Sequence, residues 1–215
     1  SNQLLLARYE MQKNLLVQSE LKLLQAQVNP HFLFNSLNTI IAVLRIDAAR
    51  CKDLMIHLSN FFRKNLKRNG DLSTLAEELD QVNSYLQIEK ARYDDRLVVS
   101  TDIDPSLLTV ILPTFTLQPL VENAFKHGIA MTIGPGVARI RAFRTDGRAF
   151  IEIEDNAGIF HEKVTDDGHG IKIVDKRLKG HFGMDSGVSI SCVPNELTRV
   201  TVQIPLEGQT SSCAR

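Results

Sequence analysis

An α+β protein whose first third is helical is what this 215-residue chain predicts. Three observations carry that expectation. Apolar residues recur at helical spacing up to about residue 93. From residue 96 the repeat becomes a period-2 alternation in short runs. Two more helical stretches fall between those runs, so helices and strands mix in a layered sandwich.

Residues 3–70 read as two helices. Val17, Leu21, Leu24 and Val28 are spaced 4, 3, 4, a short seam of coiled-coil type. Continued, that seam would meet His31, Asn35 and Asn38, which are polar. At about 100° per residue, Leu33, Leu37, Ile40 and Leu44 lie about 180–240° from His31. They form an apolar stripe opposite the histidine, which is expected on an accessible polar ridge with Asn35 and Asn38. Pro30, at the changeover, removes a backbone donor and kinks or restarts the helix. A short connection near Asp47–Ala49 leads to a second helix, roughly 50–69, ending at Asn69-Gly70. A lone hairpin cannot cover its apolar face, so a homodimer closing a four-helix bundle is the natural completion.

Thr74 followed by Glu77 is a capping-box pattern. It opens a third helix, with Leu75, Leu79, Val82 and Leu86 in its apolar stripe, running to about Tyr93. Strands are expected at Arg96–Ile103, Val137–Arg144, Ala149–Glu154, Val188–Cys192 and Arg199–Ile204. Helices are expected at about 114–128 and 169–181. The division that follows is a helical region at 1–70, a connecting helix at 71–95, an α/β domain at 96–208 and a disordered tail at 209–215.

Composition sets bounds. The 25 Lys+Arg balance 25 Asp+Glu, which argues against direct nucleic-acid binding. The one basic cluster, Arg63, Lys64, Lys67 and Arg68, reads as a solvated face, or as a surface for an acidic partner or nucleotide phosphates. Three cysteines without ligand spacing read as reduced thiols. No apolar window is long enough to span a membrane and no signal peptide is visible, so this stretch is expected to be cytoplasmic. The chain starts inside a helical pattern, which suggests a piece of a longer protein.

Four segments carry chemistry. Asn29-Pro30-His31-Phe32-Leu33-Phe34-Asn35 places an accessible imidazole on a helix, an ordinary surface histidine unless something supplies it with a task. Leu117–Gly128 carries Asn123, Lys126 and His127 at i, i+3 and i+4, on one helix face. An amide oxygen there can hold Mg²⁺ and the cationic groups can meet phosphate; the same residues also suit a plain helix end capped by Gly128. Asp155-Asn156-Ala157-Gly158 puts a carboxylate at a strand end before a tight turn, able to accept from an exocyclic amine such as adenine's. Gly168-His169-Gly170-Ile171-Lys172 opens a helix whose backbone N–H groups suit an anion.

That order resembles the ATP-binding sandwich shared by histidine kinases, Hsp90-like chaperones and type II topoisomerases. Asn123 falls in the helix motif called the N box, Asp155 in the first glycine box, and Gly168 and Gly170 in the second. Gln27–Asn38 resembles the phosphoacceptor box of the LytS/YehU (BtsS-like) family of sensor histidine kinases, as do Tyr85–Arg92 and Leu117–Gly128. Phe61–Arg68 and Val174–Leu178 point to the same branch.

The resemblance implies autophosphorylation of His31 from ATP and Mg²⁺, followed by transfer to an aspartate of a LytTR-type response regulator. It implies His31 and Asn35 at the catalytic site, Asn123 at the metal, and Asn123, Lys126, His127, Asp155, Gly158, Gly168, Gly170 and Lys172 around the nucleotide. It also implies a membrane-embedded sensor region ahead of residue 1, and a full-length protein in the bacterial inner membrane. The sequence departs from the family at three points. One glycine is missing or displaced in Asp155–Ile159; Asp166-Asp167 precede the second glycine box; and Phe32 follows His31 where many histidine kinases carry an acidic residue. Asn35 can orient the ring, and Glu122 is a weaker candidate for the base. Two other readings compete: a non-catalytic nucleotide-binding scaffold, and an ATPase of the chaperone or topoisomerase kind. Pro119 stands where the latter needs a water-activating glutamate.

Overall fold

The computed structural model describes residues 30–67, 70–132, 134–159 and 169–206. The chain divides into two units, Ser1–Arg68 and Asn69–Arg215. The expected seam at Val17–Val28, the Asp166-Asp167 pair, Gly168 and the tail at 209–215 lie outside the described residues.

In the first unit, α1 (Pro30–Leu44) and α2 (Ala48–Lys67) form a hairpin. Asp47 starts the second helix, its carboxylate accepting the Arg50 N–H at 2.9 Å, an N-cap bond that satisfies one orphan donor. The buried seam on α2 is Cys51, Leu54, Leu58 and Phe61, spaced 3, 4, 3. On α1 the buried positions are Phe32, Ser36 and Ile40. Of the expected stripe, Ile40 is buried in the hairpin, Leu33 is half-buried, and Leu37 and Leu44 are exposed. The Phe32 ring meets Phe61 with centroids 4.9 Å apart, and this aromatic contact rotates the helix so that its own i+4 neighbours face the partner helix. Ser36 is tolerated there because its hydroxyl donates to the Phe32 carbonyl at 2.6 Å.

The second unit runs β1 (Leu72–Thr74), α3 (Leu75–Tyr93), β2 (Leu97–Ile103), β3 (Ile111–Pro113), α4 (Leu117–Asn123), β4 (Gly136–Thr145), β5 (Arg148–Asp155), α5 (His169–Phe182), β6 (Gly187–Val193) and β7 (Leu197–Pro205). Five strands form one sheet in the order β2-β4-β5-β7-β6. β2 and β4 are parallel and every other pairing is antiparallel. This is the α+β class the sequence predicts, with each expected strand present to within about two residues. The capping box also forms: Thr74 Oγ1 accepts from the Glu77 N–H and Glu77 Oε2 accepts from the Thr74 N–H. Two short strands were not foreseen. β1 and β3 pair antiparallel as a separate ribbon, Leu72 opposite Pro113. The helix expected to connect the two units thus begins inside the second one.

One sheet face is apolar. Ala138, Ile140 and Ala142 on β4, Ala149, Ile151 and Ile153 on β5, and Val200, Val202 and Ile204 on β7 are buried with Val174 and Leu178 of α5. The other face carries a charged ladder. Arg199 bonds Glu154 at 2.6 Å, Arg141 bonds Glu152 at 3.3 Å, and Arg139 stands 3.9 Å from Glu154. Paired with these arginines, Glu152 and Glu154 are both buried on this face.

Candidate functional site

His31 is exposed on the first turns of α1, as its place on the helix predicts. The Asn35 side-chain N–H₂ lies 3.3 Å from Nδ1 and 3.2 Å from Nε2. It stands within hydrogen-bond distance of both ring nitrogens and holds the ring as a donor to one of them. Thr39 donates its hydroxyl to the Asn35 carbonyl at 2.9 Å, which ties down the backbone that carries the amide.

In the second unit, α4 links the other three segments. The helix expected at 114–128 begins at Leu117 and changes character at Ala124, continuing to Gly128 as a π-turn whose Ile129 N–H reaches back to the Ala124 carbonyl. The expectation that Asn123, Lys126 and His127 stack on one α-helical face is corrected accordingly. The wider turn spreads them: Asn123 and His127 are half-buried and Lys126 is exposed. Single π-turns of this kind occur most often at functional sites.

The far end of α4 abuts the first acidic turn. A Cβ on Gly128 would come within 2.6 Å of the Asp155 carboxylate, so only glycine permits this approach. Asp155 is buried, and burial pushes its carboxyl up to about 6 against the pull of the Ala157 N–H, which donates to Oδ1 at 3.0 Å. Directly across the ladder stands Thr198, whose buried hydroxyl faces the Asp155 carboxylate and, with the Ala157 N–H, pulls its pKa back down. A buried carboxylate with a hydroxyl beside it offers an acceptor and a donor side by side. That pair suits the amino-pyrimidine edge of adenine.

Asn156 holds the turn in place, accepting from the Val137 N–H at 2.8 Å and donating to the Pro135 carbonyl at 2.9 Å. Gly158 has φ +58°, and a Cβ there would lie 2.3 Å from the backbone of the β6–β7 turn. The displaced glycine therefore sits where the chain demands one, while buried Ala157 occupies the neighbouring position. At the other end of α4, Gly170 packs on Pro119, where a Cβ would meet the proline Cβ at 3.5 Å. The start of α5 is thus brought against the start of α4. Lys172 is exposed one turn on, and Gly168 lies outside the described residues. Among those residues no cluster of three or more metal-ligating side chains exists, so a cation would rest on Asn123 and phosphate oxygens, the arrangement Mg²⁺ favours.

Sequence reasoning passed over a polar layer between α3 and α4. Gln81 donates to Gln118 at 3.1 Å, and Gln118 donates to Glu122 at 2.7 Å. Glu122 also acts on Tyr85 and Glu89. Burial raises both of those groups, with Arg92, 3.2 Å from Glu89, pulling them back down. Glu122 is thereby engaged on the α3 side of its helix. The signal was in the sequence: Glu78, Gln81, Tyr85 and Glu89, spaced 3, 4, 4, mark a second helical face beside the leucine stripe.

A family model described as histidine kinase matches residues 19–97, a span that includes His31. The sensor histidine kinase BtsS of Escherichia coli (strain K12) is 51% identical over 205 residues, covering 95% of this chain and 36% of that protein. The sensor protein LytS of Staphylococcus saprophyticus is 39% identical over 219 residues, covering 95% of this chain and 37% of that protein. The chain spans little more than a third of the length of these relatives. A solved histidine kinase domain from Erythrobacter litoralis EL346 covers 88% of the chain at 17% identity with a TM-score of 0.49, too loose a likeness to add weight. At 51% identity to one such kinase over 95% of its own residues, with a histidine kinase family model matching the span that carries His31, the chain belongs to the LytS/YehU-type family of sensor histidine kinases.

Proposed function

We propose that the chain is the transmitter region of a two-component sensor kinase, phosphorylating itself on His31 from ATP and passing the phosphoryl group to an aspartate of a LytTR-type response regulator. The observation that carries the reading is the gathering of two separated segments on one helix, with Gly128 against Asp155 at one end and Pro119 against Gly170 at the other. Asp155 with Thr198 selects the adenine edge, and Gly158 shapes that turn. Lys126, His127, Lys172 and the N–H groups around Gly168 and Gly170 meet the phosphates. Asn123 would hold Mg²⁺, which would supply charge neutralisation at the phosphates.

In the transfer, a lone pair on a neutral His31 ring nitrogen attacks the γ-phosphorus. A P–N bond forms as the bond to the ADP oxygen breaks in line with it. Asn35 holds the ring by its amide donor. The exposed imidazole can release its second proton to water, which makes an acidic neighbour at Phe32 unnecessary. Glu122, bonded to Gln118, is not needed as a base. The reverse face of α1 supports a homodimer: Phe34, Leu37, Ile41 and Leu44, spaced 3, 4, 3, are exposed. Among the described residues no helix is long and apolar enough to cross a membrane, and attachment to the inner membrane is assigned to a preceding sensor region.

The test is labelling with γ-phosphate-labelled ATP. His31→Ala abolishes acid-labile, base-stable label while ATP binding by calorimetry persists; undiminished label in that variant removes the assignment. Binding without any label in the unaltered chain favours the scaffold reading.

A further inference from the structure

The helix that carries Asn123 is anchored differently at its two ends. Its C-terminal end is pinned by the close approach of Gly128 to Asp155. At its N-terminal end Thr116 makes no side-chain cap, and Pro119 has no N–H to satisfy. The cap comes from another helix. Glu78 of α3 is fully buried, and its Oε2 accepts from the N–H groups of Thr116 at 2.9 Å and Leu117 at 3.0 Å. Its Oε1 accepts from the Phe115 N–H at 3.0 Å and the Ser73 hydroxyl at 2.8 Å. Phe115 has φ +58°, a left-handed conformation rare for an aromatic residue. It turns three successive N–H groups toward one carboxylate, an anion nest filled from within the protein.

The preceding residue is held from the opposite side. The Arg177 guanidinium, on α5, donates to both the carbonyl and the hydroxyl oxygen of Thr114. α5 is the helix that the second glycine segment opens. Two charged side chains from two different helices therefore meet on four consecutive residues, Thr114–Leu117, from which α4 springs. Neither reaches the Asp155 pocket.

We propose that Glu78 and Arg177 are positioning residues that fix the start of α4 against α5, and so set Asn123 and the glycine-rich helix start on either side of the nucleotide phosphates. This deepens the nucleotide reading above and rests on it. A residue that only stabilised the unit would, when changed, weaken every mode of nucleotide binding alike through the folded fraction. Positioning residues act on the phosphate side alone, because the adenine side is pinned independently at Gly128.

The experiment is calorimetric titration of ADP into the full chain, once with Mg²⁺ and once with a chelator, for the unaltered protein, Glu78→Gln and Arg177→Lys. Glutamine keeps the size of Glu78 but turns an NH₂ toward backbone donors; lysine keeps the charge of Arg177 but loses the fork that serves two oxygens. In each variant the Mg²⁺-dependent affinity falls about tenfold while chelated ADP changes by less than about twofold. Circular dichroism checks folding at the assay temperature, and Arg177→Lys carries the test if Glu78→Gln fails it. Equal losses in both conditions, or none in either, overturn the proposal. So does an unaltered chain whose ADP affinity ignores Mg²⁺, since Asn123 then holds nothing at the phosphates. An unaltered chain that binds no ADP at all overturns the nucleotide reading, and this proposal with it.

Discussion

Asp155 shows what its proposed binding role costs the fold that carries it. Its carboxyl titrates near 6 in the folded chain, against about 3.9 in an unfolded one. The folded-state value is raised, so the favourable contribution is complete below about pH 4 and is lost as pH rises through about 6. At neutral pH the ionised group then disfavours the folded state by about 3 kcal/mol. Asp155→Asn is expected to raise the melting temperature at pH 7.5, with the gain shrinking toward zero by pH 4 in a pH series of thermal melts. Nucleotide affinity moves the other way. It is lost in the variant, and in the unaltered chain it weakens as pH drops below about 6, because the protonated acid is a poorer acceptor; calorimetry across pH 5–8 reads this directly. Asn35→Ala frees the His31 ring and is expected to slow self-labelling by about five- to tenfold with ATP affinity unchanged. The position of His31 on an exposed ridge was legible from helical angles alone. The raised pKa of Asp155 was not, because it comes from burial that only the folded chain supplies.

At the scale of elements, legibility followed length and locality. The five strands of the main sheet showed themselves because each is at least seven residues long, enough for alternation to be visible. β1 and β3, at three residues each, carry no readable period, and they form because each completes the other. The Thr74–Glu77 cap was readable because both halves lie within one turn; the Glu78 cap joins residues 37 to 39 positions apart and was not. The π-turn at Ala124–Gly128 hid for another reason, since Ala-Phe-Lys-His reads as an unbroken helix. Its consequence is testable. Gly128→Ala is expected to push Asp155 out of place and reduce nucleotide affinity by at least about tenfold, while far-ultraviolet circular dichroism shows α4 intact. Unchanged affinity would mean that the Gly128 approach is incidental to the pocket.

For the molecule as a whole, the proposed homodimer rests on the exposed seam of α1. Among the described residues the hairpin hides Phe32, Ser36 and Ile40 and exposes a second apolar row, Phe34, Leu37, Ile41 and Leu44, the surface the proposed dimer would cover. Leu37→Glu combined with Ile41→Glu is expected to convert a dimer to a monomer in sedimentation velocity and leave ADP binding by the second unit unaltered. The melting temperature of the unaltered chain should rise with protein concentration, as mass action requires of a dimer. The bonds of Thr114 bear on a different matter, the exchange of parts between related proteins. Its N–H donates to the Asp71 carbonyl at 3.0 Å and its hydroxyl to the Gly70 carbonyl at 3.1 Å, while Ser73 completes the ring of donors around Glu78. A chimera that grafts a foreign helical region onto this chain therefore has its natural splice before Gly70. One joined at the start of α3 would discard a strand, a hydroxyl and two backbone acceptors that belong to the nucleotide-binding half.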